Sequence, residues 1–84
     1  MIKLLYFASL RERLDLAEER LTLPPGVSTV AALLDHLRAR GGRWAEALGP
    51  AETLLTAVNQ ELVSSQAPVE DGDEVAIFPP VTGG

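Results

Sequence analysis

Residues 1–8, MIKLLYFA, alternate about Lys3. A period of two is the signature of a strand, whose successive side chains point to opposite faces. With Lys3 in water, Leu5 and Phe7 share its face, and Ile2, Leu4 and Tyr6 turn to a core. This strand therefore carries large apolar side chains on both faces, one of them nominally exposed. Residues 9–20, SLRERLDLAEER, are polar. Ser9 is placed to cap a short helical turn, with Glu12 three residues on completing a capping box. AEERLTLP predicts a second strand over about 18–23, with Leu21 and Leu23 on one face, stopped by Pro24-Pro25-Gly26. A hairpin joins it most economically to the first strand.

The pattern then changes period. In GVSTVAALLDHLRARGG (26–42), Val30, Leu33, Leu34 and Leu37 fall at i, i+3, i+4 and i+7, the apolar stripe of a helix. Ser28 or Thr29 supplies the N-cap. Arg38 and Arg40 suit the negative end of the helix dipole, and Gly41-Gly42 end the helix, one of them left-handed. RWAEALGP (43–50) reads as a shorter helical turn in which Trp44 meets Leu48. TLLTAVNQELVSS (53–65) reads as two short strands about a turn near Asn59-Gln60-Glu61. A turn at Asp71-Gly72 feeds a last strand over Glu74–Phe78, and Pro79-Pro80 cannot continue a ladder.

The order β-β-α, a helical turn, then β-(β)-β predicts an α+β fold. The expected architecture is a ubiquitin-like β-grasp, a mixed four- to five-stranded sheet with one main helix packed on one face. At 84 residues this is one domain. Residues 1–80 are expected to form it, leaving 81–84 as a flexible Gly-Gly tail. The 46% hydrophobic and 23% charged composition suits a globule. No apolar run approaches a membrane span and no leader pattern is read, so a cytoplasmic location is expected. A net charge of −5 argues against nucleic acid as a partner. Zero cysteines exclude a disulfide or a thiolate site in the chain.

Self-sufficient chemistry is missing. His36, the single histidine, has Ala32 and Arg40 at i±4, which offer neither a metal ligand nor a carboxylate. No Walker, dinucleotide, zinc-protease or nucleophile-elbow motif is present. Glu70, Asp71, Asp73 and Glu74 cluster without calcium-loop spacing and read as a solvated turn, and no metal is assigned. Attention therefore passes to PPVTGG (79–84). A terminal carboxylate becomes an electrophile when joined to AMP. Gly83 and Gly84 make a tail thin enough for a partner's active site, because they lack a Cβ. The preceding prolines stiffen its base.

IKLLYFASLRE (2–12), RWAEAL (43–48), AVNQELV (57–63) and DGDEVAIFPPVTGG (71–84) resemble the small-subunit family of molybdopterin synthase, ubiquitin-like sulfur carriers of molybdenum cofactor biosynthesis. Between Asp15 and Arg40 only the pattern matches. The resemblance implies that an E1-like adenylyltransferase uses ATP and magnesium to adenylate the Gly84 carboxylate. A persulfide donor then converts it to a thiocarboxylate. The carrier, with Gly83, Thr82 and Val81 as its tail, donates sulfur to cyclic pyranopterin monophosphate (precursor Z) in the large subunit, within a heterotetramer of two small and two large chains. The catalytic groups belong to that large subunit, and this chain is its non-catalytic sulfur donor. No cofactor is expected on the chain itself.

Alternation also suggests a docking surface. Phe7, Leu62 and Phe78 are expected to form an exposed apolar patch beside Pro79 and Pro80, with Arg11 and the acidic 70–74 segment at its rim. Three other readings stay open at this stage. They are a carrier for thiamine or tRNA thiolation, a ubiquitin-like protein modifier, and a non-covalent β-grasp binding module with an inert tail.

Overall fold

The computed structural model of the chain describes residues 1–49 and 54–79. Among them the elements run β1 (Ile2–Tyr6), α1 (Ala8–Leu14), β2 (Glu18–Leu21), α2 (Val30–Arg38), α3 (Arg43–Ala47), β3 (Leu55–Val58), β4 (Glu61–Val63) and β5 (Glu74–Phe78). The strands form one mixed sheet in the order β2-β1-β5-β3-β4. β1 and β5 lie parallel at its centre, and the other pairings are antiparallel. No helix among the described residues is long and apolar enough to cross a membrane.

One face of the sheet meets the helices. Ile2, Leu4 and Tyr6 of β1 and Val75 and Ile77 of β5 are buried there. They join Val30, Leu33, Leu34 and Leu37, the whole predicted stripe of α2, in a single core cluster. Burying each such side chain is worth about 1.5–3 kcal/mol, so this one interface carries most of the hydrophobic stabilisation of a small domain. Of the two candidate N-caps, Thr29 does the work: its Oγ1 accepts from the Ala32 N–H at 3.2 Å. After α2 the chain reverses through Gly41 and Gly42, both at positive φ (76° and 54°), where glycine avoids the Cβ penalty.

Two local expectations are corrected. β2 stops at Leu21, leaving Thr22 and Leu23 outside, because Leu21 pairs with Ile2, the first residue of β1, and no strand lies beyond it. The capping box at Ser9 and Glu12 does not form. The helix starts two residues earlier, at Ala8, with Phe7 as an N-cap that makes no side-chain bond. The chain turns from β1 into α1 by placing Ala8 at φ 54°, a left-handed conformation uncommon for a residue with a Cβ. The turn is thus made by the backbone, with Ser9 already inside the helix.

The hairpin of β3 and β4 turns on Asn59 and Gln60, at φ 51° and 69°. Positive φ at both central residues matches the right-handed twist of the flanking strands. Asn59 also fastens the neighbouring loop. Its Nδ2 donates to Asp73 Oδ1 at 3.1 Å, and its Oδ1 accepts from the Glu74 N–H at 3.0 Å. Asp73 Oδ2 accepts from the Glu70 N–H at 2.8 Å, and Asp71 holds the Met1 ammonium. The acidic turn therefore uses its carboxylates to tie the start of β5 to β1 and β3.

Candidate functional site

Among the described residues no helix lies over the second face of the sheet. The register fixes its rows. Glu18, Leu5, Ala76, Ala57 and Leu62 lie opposite one another across β2, β1, β5, β3 and β4. The next row toward the end of β5 holds Phe78 opposite Leu55. Phe7 joins that row from just past β1, where its N–H donates to the Ile77 carbonyl at 3.3 Å. The Phe7 and Phe78 rings meet edge to face, 6.3 Å between centroids at 79°. Phe7 is 46% exposed and Leu62 65%, values unusual for large apolar side chains. At the other end of this face, Lys3, Glu18, Arg20 and Glu74 provide a charged rim, with Lys3 Nζ 3.3 Å from Glu18 Oε2.

Of the three apolar side chains expected on this surface, Phe7 and Leu62 are exposed and Phe78 is half-buried. Phe7 and Phe78 form its centre. Leu62 shares the face but stands at the open edge, two strands from Phe78, and Leu55, Ala57 and Ala76 fill the interval. These three were missing from the sequence reading, because only the pairing register places them on this face. Pro79, half-buried, follows Phe78 directly. Pro80, Val81, Thr82, Gly83 and Gly84 lie outside the described residues. Arg11 is exposed on α1, one turn beyond Phe7, whose carbonyl accepts its N–H at 3.3 Å. The acidic segment 70–74 sits at the opposite end of β5 from Phe78. Its turn is occupied with fastening loops, so it does not border the aromatic pair. His36 is half-buried on α2, away from this face.

The helix side holds a polar cluster that no sequence pattern announces. The buried Tyr6 hydroxyl donates to Glu19 Oε1 at 2.7 Å. Arg40 Nη1 donates to the same oxygen at 2.8 Å, and its guanidinium lies 4.4 Å from the centre of the Trp44 ring. Trp44 in turn meets Tyr6 edge-on at 5.6 Å. Burial, with the hydrogen bond to Glu19 second, pushes the Tyr6 phenol well above its ordinary range. The cluster clasps the edge strand β2 to the segment joining α2 and α3. A second clasp pairs α1 with α3: Arg13 donates to the Glu46 carbonyl at 3.1 Å and Arg43 to the Leu14 carbonyl at 3.2 Å. Both clasps brace the layer behind the sheet and leave the open face free.

Among the described residues no group of three or more His, Cys, Asp or Glu side chains is arranged to hold a metal ion. Nor do the described residues of the open face place a nucleophile beside a base. Its chemistry is that of a flat apolar platform next to the point where β5 ends.

The chain is similar to proteins with the same sheet. It is 52% identical over 86 positions to the molybdopterin synthase sulfur carrier subunit of Escherichia coli (strain K12), covering all of both chains. Among solved structures, the putative molybdopterin converting factor subunit 1 of Pyrococcus furiosus superposes with a TM-score of 0.75 at 30% identity, over 95% of this chain and 97% of that one. Small archaeal modifier protein 1 of Haloferax volcanii superposes with a TM-score of 0.73 at 26% identity, over 95% of this chain and 97% of its own. The fold is thus the ubiquitin-like β-grasp of sulfur carriers. The ThiS family model matches residues 4–84, which include most of β1, all of β5, the aromatic pair and the final glycines, and the chain belongs to the ThiS family.

Proposed function

We propose that this chain is the sulfur carrier subunit of molybdopterin synthase. The single observation that carries the reading is full-length similarity at 52% identity to a protein of that name. The open apolar face beside the end of β5 supports it, since a carrier must be gripped by one surface while its tail is worked on.

In this reading the Gly84 carboxylate attacks the α-phosphate of ATP on an E1-like adenylyltransferase that holds the magnesium. Pyrophosphate leaves. The outer sulfur of a persulfide donor attacks the acyl carbon and displaces AMP, giving an acyl disulfide. A second thiol then attacks the donor's sulfur, forms a disulfide with it and releases the thiocarboxylate. That group is ionised at neutral pH and is a strong, soft nucleophile, so it supplies the thiol chemistry of a chain without cysteine. The carrier then docks on the large subunit through Phe7, Phe78 and Leu62, with Pro79 and Pro80 directing Val81, Thr82, Gly83 and Gly84 into the active site. Arg11 contributes at the rim. Sulfur passes to cyclic pyranopterin monophosphate to build the dithiolene, and water returns the acyl group to a carboxylate. Residues 1–80 serve as the docking domain and 81–84 as the reactive arm, in a heterotetramer of two small and two large chains. The acid–base groups are contributed by the large subunit.

The test is intact mass after incubation with the activating enzyme, ATP and a persulfide donor. The expected product has one oxygen replaced by sulfur, and adding the large subunit with the pterin returns the original mass. No adenylation of Gly84 would sink the reading. The likeness to a small archaeal modifier protein favours a second reading, in which Gly84 is joined to lysines of other proteins. Adducts that persist under thiol reductant on denaturing gels would support it.

A further inference from the structure

An activated carboxyl at Gly84 is an acylating agent, and the chain's own amines are covalently tethered to it. We propose that the chain is arranged to prevent self-acylation, by keeping primary amines away from the end of the sheet where the tail departs and by using arginine there. The inference rests on the proposed activation of Gly84.

Of the seven lysines and arginines, only Lys3 is a lysine. Arginine stays protonated at any working pH and does not attack acyl groups, whereas a lysine at neutral pH has about one molecule in a thousand as free amine. The position of the one lysine follows from topology. β1 and β5 are parallel, so both begin at the same end of the sheet. Lys3 lies opposite Glu74, the first residue of β5. The Met1 amine lies at that same end, where the Met1 carbonyl accepts the Gly72 N–H at 2.9 Å. Each amine is held by a carboxylate, Lys3 by Glu18 and Met1 by Asp71.

β5 delivers the tail at the opposite end. From Glu74 to Phe78 the strand runs roughly 13 Å. The six residues after Phe78 span at most about 20 Å when fully extended. To reach Lys3 the tail must double back along the sheet over about two-thirds of its fully extended length. The cation near the exit is Arg11: its N–H bonds the Phe7 carbonyl, and the Phe7 N–H bonds the Ile77 carbonyl. An amine at that position stands well within the tail's reach.

The avoided step is an acyl transfer. The amine nitrogen forms a bond to the Gly84 carbonyl carbon, the bond to AMP breaks, AMP leaves, and the amine gives one proton to solvent. The product is an internal amide lighter by one water than the free acid. Such a carrier is dead, because its tail is closed into a ring.

The test uses the full chain carrying a small-thiol α-thioester at Gly84, installed by intein cleavage, so that no activating enzyme is needed. Three variants are compared with the parent after circular dichroism shows that each is folded. Arg11→Lys and Ser9→Lys place an amine near the exit, and Thr22→Lys adds one beside Leu21 at the Lys3 end. A tethered amine at millimolar effective concentration acts well above the micromolar protein. Arg11→Lys and Ser9→Lys are expected to form the internal amide at least about tenfold faster than the parent and Thr22→Lys. Peptide mapping should join Gly84 to the introduced amine. Equal rates in all four proteins, or an internal amide at Lys3 in the parent forming as fast as in Arg11→Lys, would overturn the proposal. Failure of the carrier reading itself appears elsewhere, as absent pyrophosphate release with ATP and the activating enzyme, and leaves the thioester rates unchanged.

Discussion

The two faces of the central strands are both apolar, yet they do different work. On β1, Ile2, Leu4 and Tyr6 are buried against the helices, while Leu5 and Phe7, one residue out of phase, face away from them. On β5, Val75 and Ile77 are buried and Phe78 meets Phe7 on the open side. Folding explains the first set. It does not explain the second, since a phenylalanine left half in water forgoes roughly half of the about 1.5–3 kcal/mol that its full burial would give. An apolar face retained without a cover is best understood as one that a partner covers. The same strands thus store stability on one side and recognition on the other, and substitutions should separate the two.

The sharpest separation lies beyond both faces. Deleting Gly84 is expected to reduce thiocarboxylate formation to background, read by intact mass. Denaturant unfolding should shift by no more than about 0.5 kcal/mol, as for surface changes generally. A large stability loss would tie the tail to the fold and erase the distinction. Next, Leu4→Ala on the buried face should cost about 2–5 kcal/mol through lost burial and a residual cavity. The melting temperature should then fall by roughly 10 °C or more. Affinity for the large subunit, measured on the fraction still folded, should hardly change.

On the open face the expectation inverts. Phe7→Ala should weaken large-subunit binding by about 2 kcal/mol, near 30-fold, as an anchor at the centre of an interface does. Its stability should change by less than about 1 kcal/mol. Leu62→Ala, at the edge of the same face, should cost binding only a few tenths to about 1 kcal/mol. If Leu62 outweighs Phe7, the interface is centred on the β4 edge and the aromatic pair is peripheral.

The smallest expected effect probes the helix side. Tyr6, the sole tyrosine, has its phenol held neutral in the fold by burial and by Glu19. Above the ordinary phenol value of about 10, the unfolded chain loses this proton and the folded chain keeps it. Unfolding then releases a proton, so stability falls as pH rises past about 10. Below that value the protonation state is the same folded and unfolded, and Tyr6 adds no slope. Denaturant midpoints between pH 8 and 11 should show the decline, and Tyr6→Phe should flatten it while binding to the large subunit stays unchanged.

Much of this was legible in the chain. The period of two about Lys3 set both faces of β1, and the i, i+3, i+4, i+7 stripe set the buried side of α2, because apolar spacing must match the geometry of the element that buries it. Asp71-Gly72 and Asn59-Gln60 marked turns by the φ values that such residues tolerate. Elimination of other chemistry, together with the family resemblance, directed attention to the last glycines. What the sequence could not supply was anything that depends on which strands are neighbours. Strand order placed β5 beside β1, and so brought Phe78 to Phe7 across more than seventy residues. Register put Leu55, Ala57 and Ala76 between that pair and Leu62, and removed the acidic turn from the patch. Only packing assembled Tyr6, Glu19, Arg40 and Trp44, from three separate stretches of chain. The parallel pairing of β1 and β5 set Lys3 and the departing tail at opposite ends. Local periodicity is written in adjacent residues, whereas pairing is a competition among distant segments that is decided when the core closes.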